Sequence, residues 1–174
     1  WRASDTRAVY FENMEVDFSK NGINKFLKGL TLGRISIGAL SIGTATAAYQ
    51  KTMIYSKDRI AFSKPINNFQ SNSFKLADMA IKIEASELLV YHAAWLKDKG
   101  ENFIKEAAMA KLYASEAAME ITRESIQIHG GYGYVHEYDV ERFFRDAKIL
   151  EIVEGSSEMQ RLTISREIIK DEII

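Results

Sequence analysis

The residues best suited to chemistry form a short turn near the C-terminus, Val153-Glu154-Gly155-Ser156-Ser157. This turn places a lone carboxylate beside a glycine, between two segments with helical patterns. A general base needs a fixed direction of approach and partial removal from water, because burial raises its pKa toward the working pH. Glu154 is therefore our candidate catalytic base. The pentapeptide alone leaves open the alternative that Glu154 is an ordinary surface glutamate.

The composition excludes several classes of function. Twenty-three basic residues against 24 acidic ones leave a net charge of -1, and no long run of either sign appears. The chain therefore lacks the electrostatic signature of proteins that bind nucleic acid or anionic membranes. It has no cysteine, so disulfides and thiolate metal sites are excluded. The three histidines, His92, His129 and His136, are too scattered to predict a metal site.

Length and hydropathy place the chain in a broad class. With 174 residues, 47% of them apolar, it can form one domain with a substantial core. No apolar stretch reaches the roughly 18 residues of a membrane span, and the first residues do not resemble a signal peptide. We therefore expect an intracellular, soluble protein.

The elements that must position Glu154 are mainly helical. Two short β-like runs, 7–11 and 14–18, predict a hairpin at the start, and helical periodicity takes over from about Ile23 with no later strand signal. The only proline, Pro65, falls in a break between two long helical segments. The predicted fold is all-α: an up-and-down four-helix bundle with extra short C-terminal helices, preceded by a short β-hairpin.

The helix boundaries follow from glycines and capping residues. A first helix from about Lys25 to Tyr55 is rich in glycine, alanine and serine, so it must pack closely in the middle of the bundle. The second helix follows Pro65 and is capped by Gly100, and the third runs from about 103 to 128. Asp139 is expected to cap a shorter helix, and the pattern Ser157-Glu158-Met159-Gln160 predicts a capping box for the last one.

Three ordered motifs in the C-terminal third resemble a known family. They are 127–134 (Gln-Ile-His-Gly-Gly-Tyr-Gly-Tyr), 140–149 (with Val-Glu-Arg and Arg-Asp-Ala-Lys-Ile) and 154–162 (Glu-Gly-Ser-Ser-Glu-Met-Gln-Arg-Leu). Together they resemble the C-terminal signature of acyl-CoA dehydrogenases. Upstream, Gly33-Arg34, Asp58 to Phe62 and Phe69-Gln70 fit the same family in order and spacing.

The resemblance implies a domain division and a truncated enzyme. Residues 1–20 resemble the end of the family's middle β-domain, and 21–174 resemble its C-terminal helical-bundle domain. The family's N-terminal domain and most of its middle domain have no counterpart here. We therefore expect the chain to be a fragment that is inactive alone, with a genuinely short natural protein as the alternative.

The chemistry implied by the resemblance is FAD-dependent α,β-dehydrogenation of an acyl-CoA thioester to a trans-2-enoyl-CoA. Glu154 would remove the α-proton while a hydride passes from the β-carbon to flavin N5, and the backbone N–H of the base would bind the thioester oxygen. Some members carry the base just before the residue matching Arg34. This chain has Gly33 there, which leaves Glu154.

The resemblance also assigns the binding residues. Substrate would contact Thr31, Arg34 and Gly155. Cofactor contacts, some of them to the FAD of a neighbouring subunit, would come from nine residues: Arg59, Ala61, Phe69, Gln70, Gln127, Gly130, Gly131, Ser156 and Glu158. No metal is implied. The sequence departs from the family pattern at Val153, commonly tyrosine, at Ser156, usually threonine, and at Ala61, often a threonine that bonds to the cofactor.

Three hypotheses remain open from the sequence. The leading one is a dehydrogenase that passes electrons to electron-transfer flavoprotein and forms a homotetramer or homodimer. An acyl-CoA oxidase would keep the same base but let oxygen reach the reduced flavin. A non-catalytic helical oligomerisation module would bind no flavin at all.

Overall fold

The structure, a computed structural model, describes residues 1, 4, 5, 7–15 and 22–171. Within these ranges the chain forms five α-helices, which confirms the predicted all-α class. Their bounds are α1 Gly22–Asp58, α2 Gln70–Lys99, α3 Ile104–His129, α4 Val140–Leu150 and α5 Ser157–Asp171.

The three long helices run up, down and up. Gly38 of α1 lies beside both Val90 of α2 and Ala110 of α3, while Tyr55 at the other end of α1 reaches His129. The centre of the bundle is α3, not α1 as the small residues suggested, because α3 packs against each of the other four helices. The small residues of α1 do form its buried face, and α3 covers them: Ser41, Ala45, Ala48, Thr52 and Ser56.

The described residues do not form the expected N-terminal hairpin. Residues 7–15 contain no strand, and 16–18 lie outside the described residues. A hairpin with no sheet to join is marginal in water, which accounts for the difference. A two-stranded sheet forms instead between α1 and α2, where Ile60–Ala61 pairs with Lys64–Pro65, so the expectation that no strand follows Ile23 was wrong.

The helix ends agree with the sequence only in part. Gly100 ends α2 in the left-handed region (φ 75°), with its N–H bonded to the carbonyls of Leu96 and Lys97, as predicted. Asp139 stands at the start of α4, but its carboxylate makes no cap hydrogen bond and pairs with Lys51 at 3.2 Å. The capping box is also absent, because the Gln160 amide bonds to carbonyls of the preceding turn.

The packing of α1 on its neighbours gives a stability test. A Cβ at Gly38 would lie 2.8 Å from Cγ2 of Val90, whereas a Cβ at Gly43 would meet no atom within 4 Å. We predict that Gly38→Ala lowers the free energy of unfolding by about 1–2 kcal/mol, since overpacking exceeds the gain in helix propensity. The matched Gly43→Ala should raise it by up to about 1 kcal/mol. Urea denaturation distinguishes the two, and equal effects would contradict the packing.

Candidate active site

The turn that carries Glu154 has an unusual backbone. It connects α4 to α5, and both Glu154 (φ 54°) and Gly155 (φ 92°) are in the left-handed region. Such a conformation costs of order 1 kcal/mol or more for a residue other than glycine and persists only where the surroundings hold it. At Gly155 glycine is also required by space, because a Cβ there would lie 2.9 Å from Nε2 of Gln160.

The Glu154 carboxylate lies against α1 at Gly33. A Cβ added to Gly33 would be 2.6 Å from Oε2 of Glu154 and 3.1 Å from Oε1. The carboxylate therefore occupies the space that a side chain at position 33 would fill. The two positions that the family resemblance gives as alternative sources of the base are thus neighbours in space.

One oxygen of this carboxylate and one nitrogen of the adjacent arginine lack partners in the described part of the chain. Oε2 of Glu154 and Nε of the neighbouring Arg34 are both buried and have no hydrogen-bond partner among the described residues. Burial lowers the pKa of the Arg34 guanidinium, and the nearby charge of Glu154 opposes that shift. Buried polar groups are nearly always paired in native proteins, so these two indicate a place for a polar ligand.

One predicted substrate contact, Thr31, lies near Arg34 on α1, and two predicted cofactor contacts, Ser156 and Glu158, lie at the C-terminal end of the turn. Thr31, one turn before Arg34 on α1, is buried and donates its hydroxyl to the carbonyl of Leu27 at 3.0 Å. The Ser156 hydroxyl donates to the Glu158 carboxylate at 2.7 Å, and this bond lowers the pKa of Glu158. Ser156 therefore keeps the hydroxyl function expected at its position.

Two residues that the sequence reading missed hold the turn. Lys111 of α3 is completely buried and donates to the carbonyl of Glu151 at 3.0 Å. Gln160 of α5, also completely buried, donates to the carbonyls of Glu154 and Gly155 at 3.0 and 2.8 Å. A signal for Lys111 was present in the sequence, since it interrupts a row of alanines at helical spacing: Ala107, Ala114 and Ala118.

A second group of predicted residues meets at the other end of α1. Four of the nine expected cofactor contacts line one cleft of about 580 Å³: Arg59, Gln127, Gly130 and Gly131. This volume lies in the usual range of small-molecule sites. Gly130 ends α3 with a φ of 61°, which accounts for glycine there. A Cβ at Gly131 would meet no protein atom within 4 Å, so packing does not explain the absence of a side chain at that position.

Aromatic rings form one wall of this cleft. Tyr55 stacks on His129 with ring centroids 4.2 Å apart, and its hydroxyl donates to the His129 carbonyl at 3.2 Å. The Arg59 guanidinium lies 5.6 Å from the centroid of the Tyr132 ring. Burial lowers the pKa of His129, which keeps the imidazole neutral near pH 7. The cleft thus combines flat apolar surfaces with one exposed guanidinium.

The remaining predicted cofactor residues do not line that cleft. Ala61, Phe69 and Gln70 lie on the β-turn segment and at the start of α2. Ser156 and Glu158 lie at the opposite end of the bundle, next to Glu154. The 25 residues from Arg34 to Asp58 form continuous helix, and at a rise of 1.5 Å per step the two ends lie about 36 Å apart. The structure therefore divides the predicted site into two separate groups.

The described ranges lack the features of two other kinds of site. They contain no group of three or more metal-ligating side chains, and no helix in them is both long and apolar enough to cross a bilayer.

Comparison with known proteins shows the family of this chain. The family model described as "Acyl-CoA dehydrogenase, C-terminal domain" matches residues 20–169. This chain belongs to the acyl-CoA dehydrogenase family. It is 48% identical over 175 residues to the probable acyl-CoA dehydrogenase YngJ of Bacillus subtilis strain 168, covering 97% of this chain and 46% of that protein.

Two other relatives extend the comparison. The CarC subunit of the caffeyl-CoA reductase–Etf complex of Acetobacterium woodii is 47% identical over 149 residues, covering 86% of this chain and 39% of that protein. The structure of butyryl-CoA dehydrogenase from Megasphaera elsdenii superimposes with a TM-score of 0.84 at 46% identity, covering 86% of this chain and 39% of that one. The chain therefore spans less than half the length of each of these three proteins.

The buried Lys111 gives a pH-dependent test of stability. Burial lowers its pKa from 10.5 to about 8, although neighbouring carboxylates oppose the shift. Between pH 8 and 10.5 the unfolded chain binds more protons at this residue than the folded chain does, so the free energy of unfolding rises with pH. We predict that, between pH 7.5 and 10, the free energy of unfolding rises by up to about 3 kcal/mol more in wild type than in Lys111→Met.

Urea denaturation of both proteins at the two pH values measures this difference, because every other titrating group is common to both. Parallel pH profiles would contradict the assignment.

Proposed function

We propose that this chain is the C-terminal catalytic part of a longer FAD-dependent acyl-CoA dehydrogenase, with residues 1–20 as the end of its middle β-domain. The single observation that carries the proposal is the position of Glu154. Its carboxylate is fixed by a strained turn, lies on Gly33 and leaves one buried oxygen without a partner beside Arg34. A surface loop glutamate, the alternative interpretation, would have neither the strain nor the buried oxygen.

The chemistry assigned to Glu154 is removal of the α-proton of an acyl-CoA thioester. The proton moves to a carboxylate oxygen of Glu154, and negative charge develops on the thioester oxygen. The main-chain N–H of Glu154 has no acceptor among the described residues, so it is free to donate to that oxygen. A donor aimed at developing charge in a site shielded from water contributes a large part of such a rate enhancement.

Arg34 and Gly155 have supporting roles in this proposal. Arg34, with a buried Nε that lacks a partner, lies next to Gly33 on α1 and is suited to hold a polar part of the substrate close to the base. Gly155, whose φ of 92° favours glycine, carries no side chain and so lets the acyl group approach the main chain closely.

The chain's residues also fit the cofactor. FAD, when bound, supplies the acceptor for the hydride that leaves the β-carbon. In the cleft at the end of α1, Arg59 is suited to a diphosphate because a guanidinium is always charged and donates in a fork. Gly130 and Gly131 leave space for close approach of the same group.

We assign the two groups of residues to different FAD molecules. About 36 Å of helix separates the end bearing Arg34 from the end bearing Arg59, which is longer than an extended dinucleotide. Residues near Glu154, including Ser156 and Glu158, would meet the FAD of their own subunit. Those near Arg59 would meet the FAD of a second copy, in a homodimer or homotetramer.

The electron acceptor proposed is electron-transfer flavoprotein. Support comes from the relative in Acetobacterium woodii, which is a subunit of a complex with Etf. The proposed setting is the cytoplasm of a bacterium or the mitochondrial matrix of a eukaryote.

The test of the base is Glu154→Gln in the full-length protein. We predict that the variant keeps its FAD, while bleaching of the flavin by acyl-CoA slows by at least about 10²- to 10⁴-fold, because direct proton transfer is lost. Stopped-flow absorbance of the flavin under anaerobic conditions measures the rate. Bleaching as fast as in wild type would rule out Glu154 as the base.

Two controls separate the alternative functions. Rapid peroxide formation by the substrate-reduced wild type in air would favour the oxidase. Full-length protein that contains no flavin and takes up none would favour the oligomerisation module.

A further inference from the structure

Lys111 is a buried cation that the proposed reaction does not use directly. It is completely inaccessible to solvent and lies on the α3 face that otherwise carries small residues. Removing an ammonium group from water costs several kcal/mol, and hydrophobic residues of similar volume are often as stable or more stable in such positions. A methionine would fill the same space without that cost. Packing alone therefore does not explain why the charged Lys111 side chain is buried here.

The hydrogen bonds of Lys111 lead to the turn that carries Glu154. Its Nζ donates to the carbonyl oxygen of Glu151 at 3.0 Å. The same oxygen accepts the main-chain N–H of Ser157 at 3.1 Å, a bond that closes the turn at the start of α5. One carbonyl thus connects α3 to both ends of the segment 151–157.

The opposite side of the turn is held by Gln160. Its Nε2 donates to the carbonyl oxygens of Glu154 and Gly155. Three carbonyls of one short segment are therefore bound by two completely buried side chains, one from α3 and one from α5. The two left-handed residues between these contacts depend on such surroundings to keep their conformation.

The charges around Lys111 come from every element packed near it. Glu151 in the turn, Glu116 on α3 and Glu158 on α5 attract its ammonium group, and Arg34 on α1 repels it. The ammonium group is thus repelled by Arg34 and attracted by the carboxylates on either side of the turn. Changing it alters the electrostatics of the site as well as the geometry of the turn.

We propose that Lys111 is a positioning residue for proton transfer at Glu154, because its ammonium fixes the Glu151 carbonyl and so the direction of the Glu154 carboxylate. This inference rests on the function proposed above. The reaction needs the base aligned within a narrow range, and a displacement of about 1 Å can reduce the rate about 10²-fold. Lys111 acts through the turn and does not touch the substrate.

The experiment uses the full-length, FAD-loaded protein and four variants. These are Lys111→Met, Glu154→Gln, the double variant of both, and Ile121→Val as a matched control. Ile121 is also completely buried on α3 but belongs to the main apolar core, so its truncation tests the effect of destabilisation alone. Anaerobic stopped-flow measures flavin reduction by acyl-CoA, and hydrogen exchange measures protection of the amides in 152–157.

We expect Lys111→Met to slow flavin reduction about 10- to 100-fold at saturating acyl-CoA, while the half-saturating concentration changes by less than about threefold, as for an effect on the chemical step alone. Amide exchange in 152–157 should become faster. Ile121→Val should change neither. In the Glu154→Gln background, Lys111→Met should add less than about twofold, because residues that act through one group are not additive.

The outcomes separate the two proposals. If Glu154→Gln is reduced as fast as wild type, the proposed function fails and the role of Lys111 fails with it. If Glu154→Gln is slow but Lys111→Met matches Ile121→Val, only the role of Lys111 is overturned. The same holds if the rate of flavin reduction in the double variant falls by the product of the two single losses. Should Lys111→Met not fold, Lys111→Gln replaces it with the same outcomes, since its side chain is one bond too short to reach Glu151.

Discussion

The structure depends on one constraint: a carboxylate must reach α1 from a turn that α1 does not contain. Gly33 makes this possible because it leaves the space that the Glu154 carboxylate occupies. The turn makes it possible because Glu154 and Gly155 adopt left-handed conformations that redirect the chain toward α1. A side chain at position 33 would fill the space that the Glu154 carboxylate now occupies.

A turn with two left-handed residues keeps its conformation only where other side chains hold it. The side chains that do so here explain why polar groups are buried in the bundle. Lys111 and Gln160 are fully buried polar side chains, and both donate hydrogen bonds to carbonyls of the turn. The central position of α3 follows the same logic, because α3 contacts both α1, which carries Gly33, and the helices on either side of the turn. Three helices, α1, α3 and α5, thus determine the position of the Glu154 side chain.

The sequence predicted the parts of this arrangement that local rules determine. Helical periodicity located all five helices, Gly100 ended α2 as expected, and Glu154 stands on the predicted turn between two helices. The errors share a cause. The partners of Asp139 and Lys111 come from distant parts of the chain, and the Gln160 amide bonds back to the preceding turn instead of capping α5. Periodicity holds no information about any of these partners.

The division of the cofactor residues into two groups also lay beyond sequence reasoning. The motifs that contain Gln127 and Ser156 are close in the chain, yet they lie at opposite ends of α1 because α4 returns the chain along the bundle. Only the length of α1, about 36 Å from Arg34 to Asp58, reveals that one molecule would not span both groups. In the proposed enzyme, a single chain would therefore contribute residues to two FAD sites.

The most direct measurement is a crystal structure of the full-length protein with FAD and an acyl-CoA analogue that cannot lose its α-proton. If Glu154 is the base, one of its carboxylate oxygens should lie within about 3–3.5 Å of the α-carbon, the separation of reacting atoms in a near-attack geometry, with Gly33 behind it. A Glu154 side chain directed into bulk water, away from the acyl group, would contradict the account.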